Sequence, residues 1–136
     1  MNPAAMQARV REGVPLAAAW GIEVMSCGEG LATLRLPARE DLLRPGGTVS
    51  GPALMGLADV AMWVALLSLT EGRDENLTAS LAITFLRPPP AGVVLAEARV
   101  IKHGRTLSYG EVMLRAEGAA QPCAHVTTSW AAARRG

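Results

Sequence analysis

The sequence of 136 residues predicts an α+β domain in which a mostly antiparallel sheet wraps around one central helix. Three observations carry that prediction. The stretch from Val49 to Leu69 is apolar with a single ionisable side chain, Asp59, and Ser50-Gly51-Pro52 opens it as a capped helix is opened. The chain beyond it breaks into four runs bounded by Pro and Gly, the pattern of strands joined by turns. With half its residues apolar and 18% charged, the chain has the composition of a globular domain with a core.

Taken in order, residues from about Asn2 to Gly13 have helical composition, and Val14 to Trp20 continue apolar up to a stop at Gly21. "IEVMSCGEGLATLRLP" reads as two short strands around Gly28-Glu29-Gly30, with Ala32, Leu34 and Leu36 alternating against Thr33 and Arg35. Asp41 to Thr48 reads as a Pro/Gly loop. Ser50 or Gly51 then caps the central helix, Pro52 sits in its first turn where a missing N–H costs nothing, and the helix runs to about Leu69. "ASLAITFL", "GVVLAEARVIKH", "TLSYGEVMLRAE" and "PCAHVTTSWAA" are the four longer strands, separated by Pro88-Pro89-Pro90, Gly104 and Gly118. Strands grouped after a helix, with no repeat or linker, indicate one α+β domain over 1–136. Because Ala53, Leu54, Leu57, Val60, Ala61, Val64, Leu66 and Leu67 surround the central helix, one sheet face is not expected to cover it, and a second subunit is expected.

A net charge of +1 without a Lys/Arg block argues against nucleic-acid binding. Arg9, Arg11 and Glu12 interrupt the N-terminal stretch where a secretory signal would be apolar, and Asp59 stands at the centre of the one segment long enough to suggest a membrane span. Cys27 and Cys123 lack metal-ligand spacing, and there are only two histidines. The expectation is a cytoplasmic protein with reduced thiols and no metal or redox cofactor, with His125 and Cys123 facing the core or a neighbouring strand.

The chemistry concentrates in "RPGGTVSGPALMGLAD". This stretch resembles the signature N-P-x-G-x-x-H-G-G-x-x-x-x-L-A-D of hotdog-fold acyl-CoA thioesterases of the PaaI-like group, matching it at Pro45, Gly47, Gly51, Leu57, Ala58 and Asp59. "LTASLAITFLRPPPAG" and "ARVIKHGRTLSYGEVML" resemble later strands of the same family. The resemblance implies the hotdog fold, a homodimer or homotetramer whose active sites use both subunits, and an acyl-CoA substrate. It also implies that Asp59 is general base or nucleophile and that the Gly51 N–H donates to the thioester carbonyl oxygen. Both roles are chemically sound: a helix N-terminus stabilises a developing oxyanion, and a half-buried carboxylate with a raised pKa can activate water.

The chain departs from the signature at Arg44, Ser50 and Pro52, which stand where the family has Asn, His and Gly, and at Trp63, where some relatives have Thr or Ser. Ser50 can cap the helix or contact substrate. Trp63, with Met55 and Met62, either narrows an acyl pocket or belongs to the core. Arg87, Lys102, His103 and Arg105 either form a solvated sheet edge or meet at the rim to hold the phosphates of coenzyme A. Period-two alternation puts Thr78, Ser80 and Thr84 on one strand face, on a strand that relatives use near the pantetheine arm. The leading function is acyl-CoA thioester hydrolysis. The alternatives are a non-catalytic acyl-CoA or fatty-acid binding protein and a hydratase or dehydratase, which would need a histidine that the motif lacks.

Overall fold

The computed structural model describes residues 1–133. Two helices come first, α1 (Pro3–Gly13) and α2 (Pro15–Trp20). Asn2 caps α1 by accepting from the Ala5 N–H at 2.8 Å. The apolar run after Gly13 is a separate helix because Pro15 restricts Val14, which is extended at φ −125°, ψ 100°. Gly21, at φ 69°, supplies the left-handed C-cap.

β1 (Glu23–Gly28) and β2 (Leu31–Leu36) form the expected hairpin, turned through Glu29 and Gly30 at φ 54° and 78°. The expected Pro/Gly loop is more ordered than predicted. It holds a 3₁₀ turn, Glu40–Leu42, and a small ladder of β3 (Leu43–Arg44) with β4 (Thr48–Val49). Strands of two residues are too short to display a period, so the sequence carries no signal for them.

The central helix, α3, runs from Gly51 to Leu67, and Ser50 caps it: its hydroxyl accepts from the Ala53 N–H at 3.3 Å. Four longer strands follow, β5 (Asn76–Phe85), β6 (Val94–His103), β7 (Leu107–Ala116) and β8 (Ala124–Ala132). All but β3 and β4 join one antiparallel sheet in the order β1-β2-β6-β7-β8-β5, which leaves β5 on an edge.

α3 packs across this sheet so closely that Gly110 of β7 is required: a Cβ there would collide with the end of Met62 and with the Arg99 carbonyl. Met62 is therefore core, and Met55 is exposed on the surface; neither lines the cavity at Asp59. The helix is apolar all round, as expected, but its circumference does not by itself call for a second subunit. Twelve of its residues are buried within the single chain, because α1 and α2 cover the side that the sheet does not. Trp20 of α2 lies where a Cβ on Gly56 would be, 2.6 Å from its ring, and Gly13 of α1 abuts Trp63. The expectation of a second subunit finds no support in an uncovered helix.

Among the described residues, no helix is long and apolar enough to cross a membrane. Both cysteines are free, Cys123 buried and Cys27 partly so. His125 faces the neighbouring strand, its Nε2 3.0 Å from Glu111 Oε2, and Arg99 pairs with the other Glu111 oxygen at 2.6 Å.

Ser50→Ala should lower stability by about 0.5–1 kcal/mol, the lower part of the range for losing a cap, because the 3.3 Å bond is at the long end for N–H···O. A shift in urea midpoint at unchanged m-value measures it; no shift would show that Ser50 contributes no cap.

Candidate active site

Asp59 sits at the middle of α3, half-buried, and its partner is not a charge but a hydroxyl: Thr78 Oγ1 of β5 donates to Asp59 Oδ1 at 2.8 Å. Burial pushes the carboxyl pKa up, and the Thr78 bond offsets part of that rise. Among the described residues Asp59 makes no ion pair. A carboxylate that is desolvated, oriented by one hydrogen bond and left without a cation is suited to accepting a proton.

Thr78 reaches Asp59 because β5 is bulged. The β5–β8 register slips between Thr78 and Ser80, so Thr78 pairs with Trp130 while Ser80 pairs with Ser129 and Thr84 with His125. Trp130 is buried on the α3 side, whereas Ser129 and His125 alternate to the other side. The bulge at Ala79 thus corrects the prediction that Thr78, Ser80 and Thr84 share a face. It turns Thr78 toward the helix and leaves the other two pointing away.

At the N-terminus of α3 the donors can be counted. Pro52 has no N–H, the Ala53 N–H is taken by Ser50 Oγ, and the Leu54 N–H by the Ser50 carbonyl at 3.2 Å. The Gly51 N–H has no partner among the described residues, which leaves it as the donor that the helix end presents to a ligand. Gly51 also lets the cavity wall close in: a Cβ there would lie 3.2 Å from Phe85 Cζ. Ser50 spends its hydroxyl on the cap and does not line a cavity with Gly51.

Asp59 and Gly51 open onto different cavities. Gly51 lines one of about 390 Å³, with Arg44, Thr48, Phe85 and Arg87. Asp59 lines one of about 250 Å³, with Trp63, Thr78, Trp130 and, from α1, Arg9 and Gly13. Eight residues of helix put the two groups about 12 Å apart along the axis, too far to act on one carbonyl from a single subunit. Trp63 is the one residue of the predicted apolar trio found beside Asp59. Arg9, Asp74 and Trp130 complete that cavity from distant parts of the chain, and nothing in their sequence neighbourhood marks them.

The predicted cation cluster is divided. Arg87 follows the Phe85 end of β5, hydrogen-bonds the Pro122 carbonyl and lines the Gly51 cavity. His103 and Arg105 lie beyond the opposite end of β5, lining a third cavity of about 340 Å³ with Arg73 and Asn76. Lys102 is exposed on β6 next to this group but does not line that cavity. The antiparallel order explains the split: β5 pairs Phe85 with Ala124 and Asn76 with Ala132, and Arg105 precedes Leu107, which pairs with Ala131. Within one subunit Arg87 does not meet Lys102, His103 and Arg105. Among the described residues there is no cluster of His, Cys, Asp and Glu that could hold a metal ion.

The chain is similar to known proteins in sequence and fold. Residues 46–123 match the Thioesterase superfamily. A Saccharolobus solfataricus protein provisionally named an esterase is 31% identical over 110 residues, 81% of this chain and 72% of its own length. A second protein from that organism, with the same provisional naming, is 29% identical, and the match spans 64% of its length. Among solved structures, a provisionally named thioesterase from a Silicibacter species superimposes with a TM-score of 0.86 at 33% identity, covering 98% of this chain and 93% of its own. A variant of the phenylacetic acid degradation protein PaaI from Thermus thermophilus gives 0.76 at 28% identity, covering 87% and 98%. The central helix on its antiparallel sheet, the match over more than half of the residues and these relatives place the chain in the thioesterase superfamily, with the hotdog fold of the PaaI-like group.

Proposed function

We propose that the protein hydrolyses an acyl-CoA thioester in a site shared by two copies of the chain. The observation that supports this most directly is the pair of complementary half-sites: a free N–H at a helix N-terminus in one cavity, and a desolvated carboxylate with no neutralising cation in another. Asp59 removes a proton from water, the water oxygen bonds to the thioester carbonyl carbon, and the Gly51 N–H stabilises the oxyanion. The C–S bond then breaks and the thiolate of coenzyme A takes up the proton.

Edge strand β5 offers a way to unite the halves. Its middle lies near Ser80 and Leu81, so antiparallel pairing of two β5 edges about a two-fold axis sets the Asn76–Thr78 end of one copy beside the Phe85 end of the other. The Asp59 cavity of one copy, lined by Leu77 and Thr78, then adjoins the Gly51 cavity of the second, lined by Phe85 and Leu86. Leu77 and Phe85, 61% and 53% exposed in the single chain, favour such a partner, because an uncovered apolar sheet edge invites aggregation. The same pairing carries Arg87 of one copy toward Arg73, His103 and Arg105 of the other. Together these side chains suit the phosphates of coenzyme A, a role in which Lys102 at the adjacent rim joins them. A dimer, or a tetramer built from it, acting in the cytoplasm on a soluble acyl-CoA is the resulting picture.

The test is release of free thiol from a panel of acyl-CoA thioesters, with the matching pantetheine thioesters run beside them. Hydrolysis of acyl-CoA with a higher KM but similar kcat on pantetheine substrates is the expected result, because phosphate contacts bind ground and transition states alike. Tight binding of the whole panel without thiol release would favour the non-catalytic reading.

A further inference from the structure

We propose that Trp63 is the floor of the acyl pocket and limits this protein to thioesters of compact acyl groups, a single ring or a short chain; this rests on the function proposed above. Trp63 follows Asp59 by one helical turn, about 6 Å further along the axis, and the two line the same cavity. With the thioester carbonyl at Asp59, an acyl group entering this cavity runs toward the indole.

The indole is held in place from three directions. Its Nε1 donates to Asp74 Oδ1 at 3.1 Å, in the segment between α3 and β5. The Arg9 guanidinium stacks 5.5 Å from the ring centroid. Behind the ring, a Cβ on Gly13 would lie 3.0 Å from both Trp63 Cη2 and Arg9 Nη1, so α1 closes the space into which the indole could retreat. Arg9 is itself tethered, its Nε 3.4 Å from the Gly72 carbonyl. An aromatic ring that is 7% exposed and fixed by a hydrogen bond, a cation and a helix backbone does not swing aside without losing all three contacts.

The volume sets the scale. A cavity of about 150 Å³ accommodates benzene, so the roughly 250 Å³ here admits one ring with a short arm or a chain of similar bulk. A longer acyl group that runs on toward α1 would have to displace the indole.

The experiment is a chain-length series, acetyl-CoA to palmitoyl-CoA with phenylacetyl-CoA added, measured for kcat/KM and, with non-hydrolysable thioether analogues, for Kd. The parent should favour the compact members in both measurements. Trp63→Ala should raise the long-to-short preference by about 10-fold or more, the worth of a few methylene contacts in an apolar pocket. Asp74→Ala, which leaves the core intact and releases the indole, should shift it the same way by less, while Asp74→Asn keeps an acceptor for Nε1 and the parent's profile. An identical chain-length profile in the parent and both alanine variants overturns the proposal. A profile that shifts in Kd with no thioester hydrolysed by any form supports the floor and counts against the hydrolase reading.

Discussion

Asp59→Asn is expected to lower kcat by at least ~10²-fold, the range for losing a positioned acid or base, while the fold persists. Asn can still accept from the Thr78 hydroxyl that now donates to Asp59 Oδ1, so the hydrogen bond is retained while the base is lost. The raised pKa of Asp59 adds a pH signature. In the parent, kcat/KM should fall on acidification from a pH above the ordinary carboxylate range, as Asp59 takes up its proton. Stability behaves in the opposite sense. A carboxyl with a higher pKa in the folded state binds more protons folded than unfolded, so the parent loses stability as pH rises from the ordinary carboxylate range through the raised value. Asn has nothing to titrate. The variant should therefore be more stable than the parent at neutral pH, and the gap should close as pH falls below the unfolded carboxyl's pKa. Turnover comparable to the parent's would remove Asp59 from the role of base. Urea midpoints that separate further on acidification would contradict the effect of burial.

Gly51→Pro should lower kcat by about 10²–10³-fold, the cost of one oxyanion donor. Proline at this position tests the N–H with little disturbance of the backbone. The preceding Ser50 already has φ −71° and ψ 155°, the extended conformation that a following proline favours, and the first helical position tolerates a missing donor. Gly51→Ala is the control, since it keeps the N–H while placing a Cβ 3.2 Å from Phe85 Cζ. A proline variant slowed much more than the alanine variant assigns the effect to the N–H. Equal losses in both would assign it to crowding by Phe85.

What was legible in the sequence is what depends on neighbours along the chain. The apolar run and the Ser50-Gly51-Pro52 opening marked α3, and its cap is present. The alternation of Ala32, Leu34 and Leu36 marked β2, and Pro and Gly marked the ends of the later strands. Asp59 stood out as a carboxylate inside an apolar helix, and the motif linked it to Gly51. These signals are local because helix capping, period and turn chemistry act within a few residues.

What only the tertiary structure decided depends on residues far apart in sequence. α1 and α2 fold back to cover α3, so its apolar circumference is buried without a partner. A one-residue bulge at Ala79 chooses Thr78 over Ser80 and Thr84 as the partner of Asp59, since shifting a strand by one residue exchanges its faces. Strand order separates Arg87 from Arg105 across the length of β5, and Arg9, Trp63 and Asp74 meet only because α1 and the segment after α3 close on the same indole. The sequence by itself determined the longer elements and singled out Asp59 and Gly51. The shape of the cavity beside that carboxylate was set by long-range packing, where loop closure and register, rather than local propensity, select which side chains face one another.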